Sequence, residues 1–346
     1  MKRAGVGTGG GAGRRPPVMA DVARLAGVSH QTVSRVVNGQ DHIRPETRRR
    51  VEEAIQRLGY RPNKAARTLV TTRTATIGVI GTEGGLWGPD TIHRSVDHAA
   101  RQAGYFVSSV SLDAVSREEL ASAVDHLLNQ HVEGIIMIVG NDEALELVRN
   151  HDVGVPLVVC VGELETALSP SDTEQYGAAR LATRHLLELG HVEIGHIAGP
   201  TAWPEARARE EGWRDELVAA GLRPPQAVRG DWSAASGYAA GRVLAASPAV
   251  SAVFAANDEM ALGALRALAE AGMRVPEDVS VVGFDDMPIA EFTIPPLTTV
   301  RQDLHAAGRR AVRILDAMIT ESGAEVPPVP ELELVVRAST ARRPRR

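Results

Sequence analysis

The chain has 346 residues, 44% of them hydrophobic and 23% charged, with one cysteine and a net charge of −5. That composition excludes an internal disulfide framework, and no apolar run approaches the roughly 20 residues that span a bilayer, so a cytoplasmic protein with two or three folded units and no membrane partner is expected. The charge is split: residues 1–73 hold 15 Lys and Arg against 5 Asp and Glu, a net of +10, while residues 74–346 hold 23 against 38, a net of −15. Only the first part suits a polyanion.

Residues 1–17 are rich in Gly, Arg and Pro without apolar periodicity, the pattern of a disordered basic arm. From Ala20, Val22 and Leu25–Ala26 fall at helical spacing on one face, and Gly27 permits a tight turn. Ser29 then caps a second helix, His30–Val37, whose Val33, Val36 and Val37 can pack back on the first. His30, Gln31, Ser34, Arg35 and Asn38 remain on its other face. Two short helices joined by a glycine turn make a helix-turn-helix, whose second helix fits the major groove of double-stranded DNA. A third helix starts near Pro45, with Val51, Ala54, Ile55 and Leu58 closing a small core and Arg48, Arg49 and Arg50 available for phosphates. Residues 61–73 are a polar connector in which Asn63 caps a helix too short to stand alone in water.

From Thr74 onward strand-like runs alternate with amphipathic helical ones. The strands are Thr76–Ile80, Tyr105–Val110, Gly134–Val139, Leu157–Val161, His191–Ala198, Ala252–Ala256 and Val279–Gly283. The helices are Ile92–Gln102, Arg117–Asn129, Ala178–Leu189, Ala206–Ala220, Ala234–Ala246 and Glu259–Ala271. This is the pattern of an α/β fold with parallel sheets. In such sheets ligands bind beyond the carboxyl ends of the strands. Asn257 and Asp285 end two strands and suit vicinal hydroxyls; Arg209, opening the helical run through Ala220, offers a planar fork of donors; Trp232 is a stacking surface. The alternative readings are Asn257–Asp258 as a helix cap and Trp232 as core. Trp87 reads as a residue that narrows the cleft or as surface. Cys160 reads as a buried thiol. No Gly-x-Gly-x-x-Gly follows a strand, Asp285 and Asp286 are adjacent and should point apart, and His185, His191 and His196 read as structural rather than as metal ligands. No cofactor, metal or catalytic constellation is therefore expected.

The stretch DVARLAGVSHQTVSRVVNG closely resembles the opening of the LacI/GalR family of bacterial transcription regulators. Tyr60-Arg61-Pro62-Asn63 through Leu69 matches its Y-x-P-N-x-x-A-x-x-L pattern. Further strings, among them Arg184 to His191, Ala256-Asn257-Asp258-Glu259-Met260-Ala261-Leu262-Gly263 and Pro295 to Val300, extend the resemblance from Val18 to Arg337. The resemblance implies a small all-α helix-turn-helix headpiece plus an α/β periplasmic-binding-protein-like core of two Rossmann-like subdomains. It implies a DNA-binding domain at 18–62, a hinge at 63–74, one subdomain at 75–173 and 303–331, the other at 174–302 and 332–340, and a basic tail at 341–346. His30, Gln31 and Arg35 match base-reading positions; Ser29, Thr32, Ser34 and Asn38 match positions on backbone or bases; Asn63, Ala66 and Leu69 belong to the hinge, and Leu69 matches the minor-groove wedge. Leu86, Arg209, Trp232, Asn257, Asp285 and Gln302 match the walls of a small-molecule site. The function implied is a repressor of carbohydrate-utilisation genes, a homodimer on a pseudo-palindromic operator, controlled by a sugar in the interdomain cleft. Two departures stand out: Arg44 replaces the usual Ser or Thr cap, and Val161–Gly162 stand where many sugar-binding members carry Asp. A purine effector is the alternative within the family. The absence of a leucine-heptad tail implies a dimer.

Overall fold

A computed structural model describes residues 15, 17–37, 43–60, 73–82, 85–113, 116–138, 141–142, 145–146, 153–161, 163–165, 172–323 and 332–343. Asn38, Asn63, Ala66, Leu69 and Gly162 lie outside the described residues. The chain divides into two compact units, Met1–Thr74 and Ala75–Arg346.

The first unit is built from α1 (Met19–Ala26), α2 (His30–Val37) and α3 (Pro45–Leu58). Gly27 ends α1 at φ 63°, in the left-handed region that favours glycine. Two residues later the Ser29 hydroxyl accepts the Thr32 backbone N–H at 3.1 Å, so Ser29 caps α2. Val22, Ala23, Ala26, Val33, Val36, Val51, Ala54 and Tyr60 form the buried core, with Val37, Ile55 and Leu58 packed against its edge. Leu25 corrects the sequence reading: it is 47% exposed, because α1 turns Val22, Ala23 and Ala26 inward and Leu25 lies off that face. Arg44 precedes α3 without a side-chain cap, and Pro45 takes the first helical position.

In the second unit, β1 (Thr76–Thr82), α4 (Trp87–Gln102), β2 (Phe106–Leu112), α5 (Arg117–Asn129), β3 (Ile135–Met137), β4 (Leu157–Val161) and β5 (Glu163–Glu165) lead to α6 (Asp172–Glu188). Then come β6 (Ile194–Ala198), α7 (Pro204–Ala219), β7 (Val228–Arg229), α8 (Ala234–Ala245), β8 (Ala252–Ala255), α9 (Asp258–Glu270), β9 (Ser280–Asp285), a 3-10 turn at Pro288–Phe292, β10 (Thr298–Arg301), α10 (Leu304–Thr320) and β11 (Glu333–Val335). Two sheets result, with strand orders β2-β1-β3-β4-β5 and β11-β10-β9-β8-β6-β7. All pairings are parallel except β4 with β5 and β10 with β11.

Central strands covered on both faces are apolar throughout: Ile77, Val79 and Ile80 of β1 and Val281, Val282 and Phe284 of β9 are fully buried. In the first sheet α4 and α10 contribute to one core and α5 to the other. In the second, α6 and α7 cover one face and α8 and α9 the opposite one. The chain leaves the second sheet after β10 to lay α10 on α4, then returns as β11. The α4 and α7 helices start at Trp87 and Pro204, before the expected Ile92 and Ala206, because Pro at an early helical position pre-sets the turn. Among the described residues no helix is long and apolar enough to cross a membrane.

Candidate functional site

The exposed face of α2 carries His30, Gln31 and Arg35, while Thr32 and Ser34 are half-buried at its margin. The Ser29 and Thr32 hydroxyls lie 2.8 Å apart at the start of the helix. Arg44, Arg49 and Arg50 are exposed and Arg48 half-buried. The headpiece thus presents one short helix with amide and guanidinium groups outward, backed by a basic third helix. Gln and Arg side chains make bidentate pairs with adenine and guanine edges, and the remaining arginines suit phosphates.

In the core, Leu86, Arg209, Trp232, Asn257, Asp285 and Gln302 all line one cleft of about 640 Å³, partly open to solvent. Trp87, Pro89, Cys160, Trp203, Glu205 and Glu259 complete most of its wall. Leu86 immediately precedes α4, and Trp87 opens it. Arg209 lies in the second turn of α7 rather than at its opening, a correction that follows from the helix starting at Pro204. Asn257 is both cap and wall: its Oδ1 accepts the Met260 N–H at 2.9 Å, and its Nδ2 donates to the Trp232 carbonyl at 2.9 Å. Trp232 sits at φ 75°, a costly conformation for a bulky residue, and Asp285 at φ 109°. Both strained residues face the cleft. Gly199 lets the six-membered ring of Trp232 approach the chain, since any Cβ there would overlap that ring. Trp203 meets Trp232 edge-on, ring centroids 6.2 Å apart.

A buried polar chain crosses the floor. Arg209 donates from Nε to Gln175 Oε1 at 2.8 Å and from Nη1 to the Ala256 carbonyl at 2.5 Å. Gln175 donates to Gln302 at 2.8 Å, and Gln302 donates to Asp285 Oδ1 at 2.6 Å. Arg209 stacks over Phe284, its guanidinium carbon 3.8 Å from the ring centroid, and Nη2 is 3.9 Å from Asp285. Burial raises the Asp285 carboxyl from 3.8 to about 6 against the opposing pull of Arg209 and the Gln302 hydrogen bond. Beneath it, Asp258 accepts from Thr299 Oγ1 at 2.6 Å and from the Met287 N–H at 2.8 Å, locking the start of α9 to the ends of β9 and β10.

Asp286 does point away from Asp285. It pairs with Arg301 and Arg337, each at 2.6 Å. The three histidines have separate partners: His185 binds Thr340, His191 binds Ser251 and the Ala341 carbonyl, and His196 bonds the Phe254 carbonyl between stacked Trp213 and Phe254 rings. Desolvation takes His196 down to about 3. Cys160 is buried, its thiol pushed up to about 12 by desolvation. It lines the cleft, as does the half-buried Trp87.

Two contacts tie the cleft's rims. Arg207 of α7 grips Asp142 through both nitrogens at 2.8 and 3.0 Å, and the Asp142 N–H donates to the Ala202 carbonyl at 3.0 Å. The Trp87 N–H donates to the Glu259 carboxylate at the opposite helix start. Sequence reasoning did not single out Glu205, Glu259, Trp203 or Asp142. Proximity to the Ala198-Gly199-Pro200 strand end was the available signal for Trp203 and Glu205.

Comparison with known proteins matches both units. Residues 18–63 match the family described as bacterial regulatory proteins, lacI family, and residues 183–340 the periplasmic binding protein-like domain. The HTH-type transcriptional regulator CelR of Thermobifida fusca is 41% identical over 340 residues, 94% of this chain and 99% of CelR. Among solved structures, the lac repressor dimer bound to operator and the anti-inducer ONPF is 34% identical with a TM-score of 0.81, over 94% of this chain and all of that one. A CelR–cellobiose complex is 37% identical with a TM-score of 0.67, over 93% of this chain and 99% of that one. A helix-turn-helix headpiece with a periplasmic-binding-protein-like core defines a class of DNA-binding transcription regulators. The chain belongs to the lacI family of bacterial regulatory proteins, and it is a sequence-specific DNA-binding transcriptional regulator.

Proposed function

We propose that the protein is a homodimeric repressor of carbohydrate-utilisation genes whose affinity for a pseudo-palindromic operator is set by a sugar bound in the cleft. In this reading His30, Gln31 and Arg35 read bases, Ser29, Thr32, Ser34 and Asn38 hold backbone or bases, and Asn63, Ala66 and Leu69 form the hinge. Residues 75–173 with 303–331, and 174–302 with 332–340, are its two subdomains.

The observation that carries the sugar is the convergence of Leu86, Arg209, Trp232, Asn257, Asp285 and Gln302 on one cleft with two further tryptophans, Trp87 and Trp203. Carboxyl and amide groups interleaved with indole surfaces suit a ring that is polar at its edge and apolar on its faces. A cello-oligosaccharide of the kind held by the CelR structure is the specific candidate. Support for the dimer comes from the turn Pro288–Phe292 and its flank, where Phe292 is 73% and Ile294 95% exposed, a patch suited to a second copy.

A sugar shifts operator affinity only through its different affinity for the two conformations. The test is operator release by cellobiose from purified protein and from Asp285→Ala. Release from the wild type and none from the variant, with operator binding retained, is expected. Equal release from both would remove Asp285 from the site.

A further inference from the structure

Two buried polar atoms of the cleft wall have no hydrogen-bond partner among the described residues: Glu205 Oε2 and Trp232 Nε1. Their side chains are not marginal surface groups, for Glu205 is 9% and Trp232 7% exposed. Native proteins pair nearly all buried polar atoms, and an orphan acceptor and an orphan donor lining one cleft are an exception that calls for a cause. The Glu205 carboxylate takes a hydrogen bond from its own backbone N–H, which leaves Oε2 unaccounted for. It lies in the first turn of α7, where a solvated carboxylate would serve the helix dipole as well. Burial raises its carboxyl from 4.5 to about 7 against the pull of Arg209 and of its own backbone N–H, with Asp285 adding to the rise.

The charges around it narrow the ligand. Among the described residues lining the cleft, Arg209 is the one cation, and its nitrogens are directed at Gln175, the Ala256 carbonyl and Asp285. Glu205, Glu259 and Asp285 supply three carboxyls. A phosphate or carboxylate entering this cleft meets like charge in a low-dielectric wall, whereas a hydroxyl can both donate to a carboxyl oxygen and accept from an indole N–H.

We propose that Glu205 and the Trp232 indole N–H form a hydroxyl-recognition pair, and that this pair with its acidic surroundings restricts the effector to uncharged sugars, rejecting sugar acids and sugar phosphates. The proposal rests on the cleft being the effector site. It makes Glu205 a specificity-determining residue, with the cost of its burial offset when the sugar arrives.

The experiment is calorimetric titration of the full chain and of Glu205→Ala, Glu205→Gln, Trp232→Phe and Asp285→Ala with cellobiose and with cellobionate, its sugar-acid counterpart. The wild type is expected to bind cellobiose at least about tenfold more tightly than cellobionate. Glu205→Ala is expected to lose about 10- to 100-fold in cellobiose affinity, the range for a hydrogen bond to a charged group. Trp232→Phe, which keeps the ring and removes the donor, is expected to lose about 3- to 10-fold. Glu205→Gln is expected to narrow the discrimination against cellobionate, a ratio that a merely structural residue would not move. Wild-type affinity and discrimination in both Glu205 variants, with binding abolished in Asp285→Ala, overturns the pair and leaves the effector cleft standing. Cellobionate binding as tightly as cellobiose overturns the restriction to uncharged sugars. No cellobiose binding by the wild type, or binding indifferent to both Asp285 and Glu205, overturns the cleft reading and the pair with it.

Discussion

Replacing Glu205 by glutamine should make the sugar-free protein more stable, by an amount that grows as pH rises from about 4.5 and is nearly complete by about 7. The folded protein holds this carboxyl at about 7 against 4.5 for an unburied one, because desolvation opposes its ionisation. A raised acid means that the native state retains a proton the unfolded chain has released. Stability therefore falls as pH rises from 4.5 through 7 and levels off above. Each pH unit of that gap costs about 1.4 kcal/mol, so the ionised carboxylate costs about 3 kcal/mol at pH 8.5 and under about 0.5 kcal/mol at pH 4.5. Glutamine keeps the shape without the charge. For a unit of this size 1 kcal/mol corresponds to about 2–4 °C, so Glu205→Gln should melt about 5–10 °C above the wild type at pH 8.5 and within about 2 °C of it at pH 4.5. Differential scanning calorimetry without sugar reads both values. Equal melting at both pH values, or a variant that melts lower at pH 8.5, would show that Glu205 is not an uncompensated buried acid. Such a stability gain beside a loss of ligand discrimination is the trade expected of a functional group.

Three further outcomes follow from the geometry. Ser29→Ala removes the cap of α2 and should lower headpiece stability by about 1 kcal/mol, seen as a lower thermal midpoint by circular dichroism. Arg35→Ala should weaken operator binding by about 1–3 kcal/mol and relax specificity, while Arg49→Ala should weaken all DNA alike and flatten the salt dependence; fluorescence anisotropy at several salt concentrations separates the two. Arg207→Ala cuts the tie to Asp142, whose two side chains are 41% and 52% exposed, so the stability loss should stay below about 1 kcal/mol and vanish in 1 M salt, read from urea midpoints.

The chain order of elements was legible because each is encoded locally. Gly27 and Ser29 mark one helix end and the next helix start through backbone conformation and a hydroxyl three residues from an amide, both properties of adjacent residues. The alternation of apolar strands and amphipathic helices from Thr76 to Ala271 carried the α/β class for the same reason. Asn257 and Asp285 were legible as wall residues because a strand end in a parallel sheet faces a fixed side of the fold.

What the sequence could not carry is which faces of distant elements meet. Glu205 in the first turn of α7 reads as an ordinary acid favouring a helix dipole; only the fold, by burying it beside Arg209 and Asp285, leaves its Oε2 without a hydrogen-bond partner. Leu25 has the hydrophobicity of a core residue, yet the rotation of α1 is set by its neighbours and leaves it in solvent. The helix Leu304–Thr320 was not read from the sequence, and its docking on α4 depends on a chain that crosses from one sheet to the other. Periodicity determines the face a segment buries, and tertiary structure decides what that face is buried against.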